Sequence, residues 1–286
     1  MMNLKWLPLK ASQKGPLLMA KQRSWLFRLA FITGLLISQV VFADAQVQTQ
    51  LSDQFFQGAL IIGKTAAENK VTLNGKAIKV SKNGDYALGF SRDEKNNSKL
   101  TITSPSGDVV TRIIKPLKRE YNIQRVEGIA KSIMNPNKKA NIRAGEDNKK
   151  IKAARKIDSD LTAFAEGFIA PIEGIITGVY GSQRYYNGVP KWPHFGLDYA
   201  GYCDMFVPDM FYSGGTMIID HGHGVSSTFL HLSAAYVNVG DKVSKGQLVA
   251  AVGASGRATG PHLDWRINWF NMRLDPALVL KLKPLI

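Results

Sequence analysis

Between residues 55 and 122, apolar and polar side chains alternate in short runs: VTLNGKAIKV, KNGDYALGF and KLTITSPSGDVVTRII. A period of two is the mark of a strand with one buried face, and the dipeptides Asn74-Gly75, Asn83-Gly84 and Ser106-Gly107 are tight-turn signals between such runs. This pattern predicts a small β-sandwich module over residues 50–125. From 126 to 167 the alternation gives way to Lys, Ala, Asn and Asp, with NKKIKAARKIDSDLTAFAEGF predicted as a helix that ends at Gly167. This stretch is expected to be a charged helical connector. The period of two returns over residues 168–286 in GIITGVYGSQR, GGTMIIDHGHG, VSSTFLHL, GQLVAAVGASG and PHLDWRINWF. The expected fold class is therefore mainly β, with a second, antiparallel β domain after the connector.

The first residues break the pattern. Leu29 to Phe42 is apolar apart from Thr33, Gly34, Ser38 and Gln39, follows the basic stretch KQRSWLFR, and runs into Val41-Phe42-Ala43. That order predicts a signal peptide over residues 1–43 with cleavage after Ala43, the alternative being retention as an N-terminal membrane anchor. Export to the periplasm or cell envelope is the expectation.

Composition sharpens the partner class. The formal net charge is +15, and Lys5, Lys10, Lys14, Lys21, Arg23 and Arg28 precede the apolar run; removing those six leaves +9. A basic surface favours anionic partners such as nucleic acid, lipid headgroups or cell-wall polymers. Eight Lys and Arg residues crowd into 138–156, which fits a solvated linker face. The single cysteine, Cys203, excludes an internal disulfide and reads as a small, partly buried apolar side chain.

All five histidines lie after residue 190. In PHFGLDYA, extended backbone places His194, Gly196 and Asp198 on one face and Phe195, Leu197 and Tyr199 on the other. In GPHLDWRIN, His262, Asp264 and Arg266 alternate with Leu263, Trp265 and Ile267. A histidine and a carboxylate presented from one strand face could bind a metal, share a proton or form a surface pair. His231, in STFLHLS, is expected in phase with Ser227 and Phe229. His221 and His223 are expected as two exposed turn residues. The helical HExxH motif, the GxSxG elbow and a P-loop are all absent. DWRINWFNMR alternates as a packed strand rather than as a nucleic-acid groove.

Taken in order and spacing, PHFGLDYA, GGTMIIDHGHGVSSTFLHLS and VNVGDKVSKGQLVAAVGASGRATGPHLDWRIN resemble the lysostaphin-type, or LytM, zinc metalloendopeptidases over about the last 120 residues. The resemblance implies an antiparallel β fold of the duplicated hybrid motif type, with its site in a groove across one sheet, and hydrolysis of peptide bonds in bacterial peptidoglycan. It implies one zinc ion held by His194, Asp198 and Asp264, the last standing where the family has the second histidine of its HxH motif. His231 and His262 match the family's catalytic histidines. The implied partners are peptidoglycan peptides and other cell-wall enzymes, with no nucleic acid, and with the membrane only through a retained N-terminal segment. A second reading is a member that kept the fold and regulates or recruits another cell-wall hydrolase.

Overall fold

A computed structural model of the chain describes residues 47–53, 55–129, 138–200, 210 and 212–285. The expected signal segment 1–43 and Cys203 lie outside the described residues. Seven strands come first: β1 (Thr49–Leu51), β2 (Leu60–Thr65), β3 (Lys70–Leu73), β4 (Lys76–Ile78), β5 (Asp85–Gly89), β6 (Ser98–Thr103) and β7 (Val109–Ile114). They form an antiparallel three-stranded sheet, β1-β2-β5, and an antiparallel four-stranded sheet, β4-β3-β6-β7. Ile61, Tyr86, Leu88 and Phe90 pack against Val71, Leu100, Ile102 and Ile114 in one apolar cluster, so the inward positions of both sheets share a core.

Two of the three turn signals join paired strands. Asn74 and Gly75 link β3 to β4 with φ of 51° and 79°, the type I′ geometry that the right-handed strand twist favours. Ser106-Gly107 links β6 to β7. Asn83-Gly84 also turns the chain, but the strands around it, β4 and β5, belong to different sheets. Gly84 lies so close to Thr65 that a Cβ there would stand 1.7 Å from the Thr65 carbonyl oxygen. Packing against β2 thus decides a partner that the local signal does not specify.

The connector departs from expectation. After β8 (Ile123–Val126), helix α1 covers Lys138–Ala154 and stops well short of Gly167. Asp158 and Asp160 instead pair with Lys79, at 3.6 and 2.7 Å, and Ser159 accepts a backbone bond from His223. Asp and Ser compete with helical hydrogen bonds, so these anchors hold the segment out of a helix. A short 3-10 turn (Ala163–Glu166) then ends at Gly167, with φ of 76°.

The remaining strands are β9 (Ile176–Gly178), β10 (Gln183–Tyr186), β11 (Val189–Pro190), β12 (Leu197–Ala200), β13 (Gly215–Gly222), β14 (Val225–Ala235), β15 (Ala250–Val252), β16 (His262–Trp269) and β17 (Met272–Leu274), followed by the short helix α2 (Pro276–Val279). Seven of them form an antiparallel sheet in the order β13-β14-β16-β12-β9, with β15 on β14 and β17 on β16. β8 runs parallel to β10. One face of the large sheet supplies Leu197, Tyr199, Leu263, Trp265 and Ile267 to a core that also takes Leu60, Ile62 and Ala87 from the first sheets. Arg119 bridges to the buried Asp275 at 2.7 Å, and the Arg92 guanidinium donates to the Gly181 carbonyl. The described residues accordingly fall in one compact unit.

Candidate metal centre

The centre of the large sheet presents two facing carboxylates. Antiparallel pairing of β12 with β16 sets Asp198 opposite Asp264, one pair along from Leu197 opposite Trp265. Because strand side chains alternate, the same register buries Leu197, Tyr199, Leu263 and Trp265 behind them. His194 precedes β12, its backbone tied to residues 181 and 182 by bonds of 2.7 and 2.8 Å. His194, Asp198 and Asp264 each offer a ligand atom within 4.8 Å of the others.

Two glycines make this convergence possible. A Cβ at Gly196 would stand 2.0 Å from Asp264 Oδ1, and one at Gly178 would stand 2.2 Å from Asp198 Oδ2. Gly178 lies opposite Asp198 on β9. Any other residue at either position would push a carboxylate out of the cluster.

The trio has the electrostatics of a cation site. His194 Nδ1 lies 3.2 Å from the Val179 carbonyl oxygen, to which it donates its proton, leaving Nε2 aimed at the carboxylates. Nε2 stands 3.0 Å from Asp198 Oδ1 and 3.6 Å from Asp264 Oδ2. Both Nε2 and Asp198 Oδ1 are buried without a well-aligned hydrogen bond. Facing lone pairs of this kind need a cation between them. Burial opposes charge on His194, but contacts with Asp198 and Asp264 and their fields outweigh it and lift the imidazole to about 10. A metal ion meets the same demand, and one nitrogen with two carboxylate oxygens is an allowed zinc donor set.

Asp264 has another partner. Arg266, two residues along the same face of β16, donates Nε to both Asp264 oxygens at 2.9 and 3.1 Å, and its Nη2 also contacts Oδ2. Burial penalises the Asp264 charge, yet Arg266 and then His194 hold the carboxyl well below the usual carboxylate range. Relative to a His-Asp-His set, Asp264 adds one negative charge, and Arg266 supplies one positive charge in compensation. Arg266 was legible in the sequence only as part of an alternating strand; its role follows from the i, i+2 spacing on the polar face.

His231 and His262 meet beside the trio, with ring centroids 4.7 Å apart. The structure corrects the expected phase of His231. Pairing of β13 with β14 jumps from Gly215 opposite Leu232 to Met217 opposite Phe229, and His231 within that irregularity has φ of 63°. Such a bulge re-aims one side chain. His231 Nδ1 donates to the Ser255 carbonyl at 2.8 Å, and His262 Nδ1 to the Gly260 carbonyl at 2.8 Å. All three site histidines therefore anchor Nδ1 on backbone and keep Nε2 for chemistry. Burial lowers the His231 pKa, which keeps the ring neutral near pH 7.

His221 and His223 are not exposed turn residues. β13 extends to Gly222, so His221 lies on the strand, half-buried, with Nε2 2.7 Å from Ser227 Oγ and its ring against Phe168. His223 does occupy the two-residue turn, with φ of 51°, but it is buried against Phe164 and bonds to the Lys79 carbonyl. The covering residues lie far away in the chain, where no local pattern reports them.

Part of the chain is similar to known proteins. Residues 200–276 match the model of Peptidase family M23. The chain is 43% identical over 56 residues to the peptidoglycan DD-endopeptidase ShyA of Vibrio cholerae, covering 20% of this chain and 13% of that protein. It is 40% identical over 66 residues to the DD-carboxypeptidase/endopeptidase Mpg of Neisseria meningitidis, covering 23% and 15%. The matched stretches thus span less than one sixth of the length of these relatives. Among solved structures, a protein assigned to peptidase M23 from Pseudomonas aeruginosa superposes with a TM-score of 0.59 at 21% identity, covering 80% of this chain and 96% of that one. That likeness supports the fold.

Proposed function

We propose that this chain, whose residues 200–276 match the model of Peptidase family M23, is an exported zinc metalloendopeptidase that hydrolyses peptide bonds in bacterial peptidoglycan. The observation that carries the reading is the buried convergence of His194 Nε2 and Asp198 Oδ1, neither with a well-aligned partner, on Asp264. In this reading His194, Asp198 and Asp264 hold one zinc ion. When bound, zinc supplies Lewis acidity toward a peptide carbonyl and lowers the pKa of water.

The chain's own residues supply the rest. His231, neutral and fixed through Nδ1, is poised to accept a proton at Nε2 and return it to the leaving amine. His262, oriented the same way, is a hydrogen-bond donor for a developing oxyanion. Arg266 holds Asp264 in place and limits the negative charge of the ligand set. The first sheets, sharing a core with the large sheet, brace the strands that carry these groups. No helix among the described residues is long and apolar enough to cross a membrane; the envelope location rests on the sequence pattern of residues 1–43.

A second reading follows from Arg266. A guanidinium bound to both oxygens of Asp264 could replace an ion in a fold kept for regulating or recruiting another cell-wall hydrolase. One experiment separates the two. Zinc content is measured on the purified chain, wild type beside Asp264→Ala, with release of peptidoglycan fragments assayed on the same samples. The enzyme reading expects near-stoichiometric zinc and wall cleavage, both lost in the variant. Folded wild-type protein with no zinc and no cleavage would replace it with the regulatory reading.

A further inference from the structure

Beyond Asp264, the polar face of the large sheet carries an uncompensated positive charge. Arg155, just after α1, is 4% exposed. Its Nη2 reaches Thr228 Oγ1 at 3.4 Å, and its Nε has no hydrogen-bond partner. Asn268 Nδ2 donates to the same Thr228 oxygen at 3.1 Å, while Asn268 Oδ1 accepts from Arg273 Nη1 at 2.7 Å. Arg266 lies opposite Thr228 in the β14–β16 register. Three guanidiniums therefore surround one buried Thr228–Asn268 bridge. Of these three, only Arg266 has a carboxylate partner among the described residues; Arg155 and Arg273 form no ion pair there.

This arrangement is costly as it stands. Burial, together with Arg266, pushes the Arg155 pKa down to about 9; burial, together with Arg155 and Arg266, pushes that of Arg273 down to about 8. A guanidinium keeps its proton at neutral pH, so the strain is relieved by an anion rather than by deprotonation. Among the described residues no carboxylate forms an ion pair with Arg155 or Arg273.

We infer that Arg155 and Arg273 form a binding subsite for a carboxylate of the peptide substrate, in line with the metal centre along β16. Asp264, Arg266 and Asn268 follow one another on the same face and Thr228 lies opposite Arg266, so the bridge spans about 7 to 13 Å from Asp264, two to four extended residues. A peptide laid along the strand with its scissile bond at the trio would bring a carboxylate a few residues away to the arginines. The planar fork of a guanidinium matches a carboxylate in two parallel hydrogen bonds. The source is either the free C terminus of a short peptide or an acidic side chain. This inference rests on the peptidase reading and narrows it to acidic or carboxyl-terminated short peptides.

The test is a binding measurement by titration calorimetry on the metal-depleted full chain, so that turnover does not intervene. Three versions of one synthetic tetrapeptide are compared: free C terminus with a Glu side chain, C-terminal carboxamide, and Glu→Gln. Wild type is expected to bind the doubly acidic peptide at least tenfold more tightly than one of the two amides, and that amide identifies the source. Arg273→Gln, at a half-buried position, should erase the difference without weakening binding of that amide, and Arg273→Lys should restore part of it. Arg155→Gln should act the same way if its melting temperature is maintained. Equal binding of all three peptides by wild type, or unchanged discrimination in Arg273→Gln, would overturn the subsite. Zinc uptake and wall release, measured on the same batch, decide the peptidase reading separately: cleavage without discrimination leaves that reading and removes the subsite. With no uptake and no cleavage, the peptide affinities still decide whether the arginines bind a carboxylate.

Discussion

The sheets of residues 49–114 and the sheet of residues 176–274 treat buried polar groups differently. In the first, no buried side-chain polar atom among the described residues lacks a partner. Ser52 Oγ accepts from the Ile62 amide at 3.1 Å, Asn69 Nδ2 donates to Thr65 Oγ1 at 2.8 Å, and Ser81 Oγ bonds to Asp85. In the second, partners are missing. Among the described residues, the buried side-chain polar atoms without a hydrogen bond are Arg155 Nε, His194 Nε2, Asp198 Oδ1 and Trp265 Nε1, and none of these lies in residues 47–129. Unsatisfied buried groups are costly enough that a cluster of them marks a place prepared for something else. Three of these atoms fall on the polar face of the large sheet, at the trio and beside the arginines. The fourth belongs to a core tryptophan, for which the structure offers no account.

The sharpest way to break this contrast is at His231. His231→Ala should lower wall-release rates by about 10²–10⁴-fold while zinc uptake stays unchanged. Loss of zinc in this variant would make His231 a ligand rather than a proton carrier.

Acid should separate the two regions next. Burial holds the His221 pKa at about 4, and burial lowers that of His223 as well. Both rings are neutral in the fold, whereas the unfolded chain takes up protons below about pH 6.5. Stability contributed by the neutral rings is therefore present above pH 6.5 and lost as pH falls toward 4, with His221 accounting for about 3 kcal/mol at most. Residues 47–129 contain no histidine and lack this term. Urea unfolding at pH 7 and pH 4.5 measures it, and His221→Gln should remove most of the difference. An unchanged difference would place the acid sensitivity elsewhere.

A pair of glycines gives a smaller effect. Gly196→Ala drives a methyl group into Asp264 and should weaken zinc uptake about 10–100-fold. Gly75→Ala meets nothing within 4 Å; with φ of 79° it should cost about 1 kcal/mol of stability and leave zinc uptake unchanged. Equal zinc affinities in the two variants would argue against Asp264 as a ligand. Smallest is the positioning of Asp264 by Arg266: Arg266→Gln removes the bonds that hold the carboxylate and should weaken zinc binding about tenfold in the native chain. In an Asp264→His background, where no carboxylate needs the guanidinium, it should cause no loss. The same loss in both backgrounds would show that Arg266 serves packing instead.

Sequence alone determined which residues could share a face and where the chain could turn. Strand alternation and the positive φ of Asn74-Gly75 arise from short-range sterics, so they are written locally, and they put His262, Asp264 and Arg266 on one face. The HxxxD spacing and the likeness to a known family single out His194, Asp198 and Asp264 as candidate ligands, and these are the three that the fold brings together. Tertiary structure decided the rest. It set the bulge that re-aims His231, stopped α1 at Ala154, and buried His223 under residues as distant as Lys79. It also brought Arg155 to Thr228 across 73 positions of chain. Whether a buried polar atom has a partner depends on the strand laid beside it, and no local pattern names that neighbour.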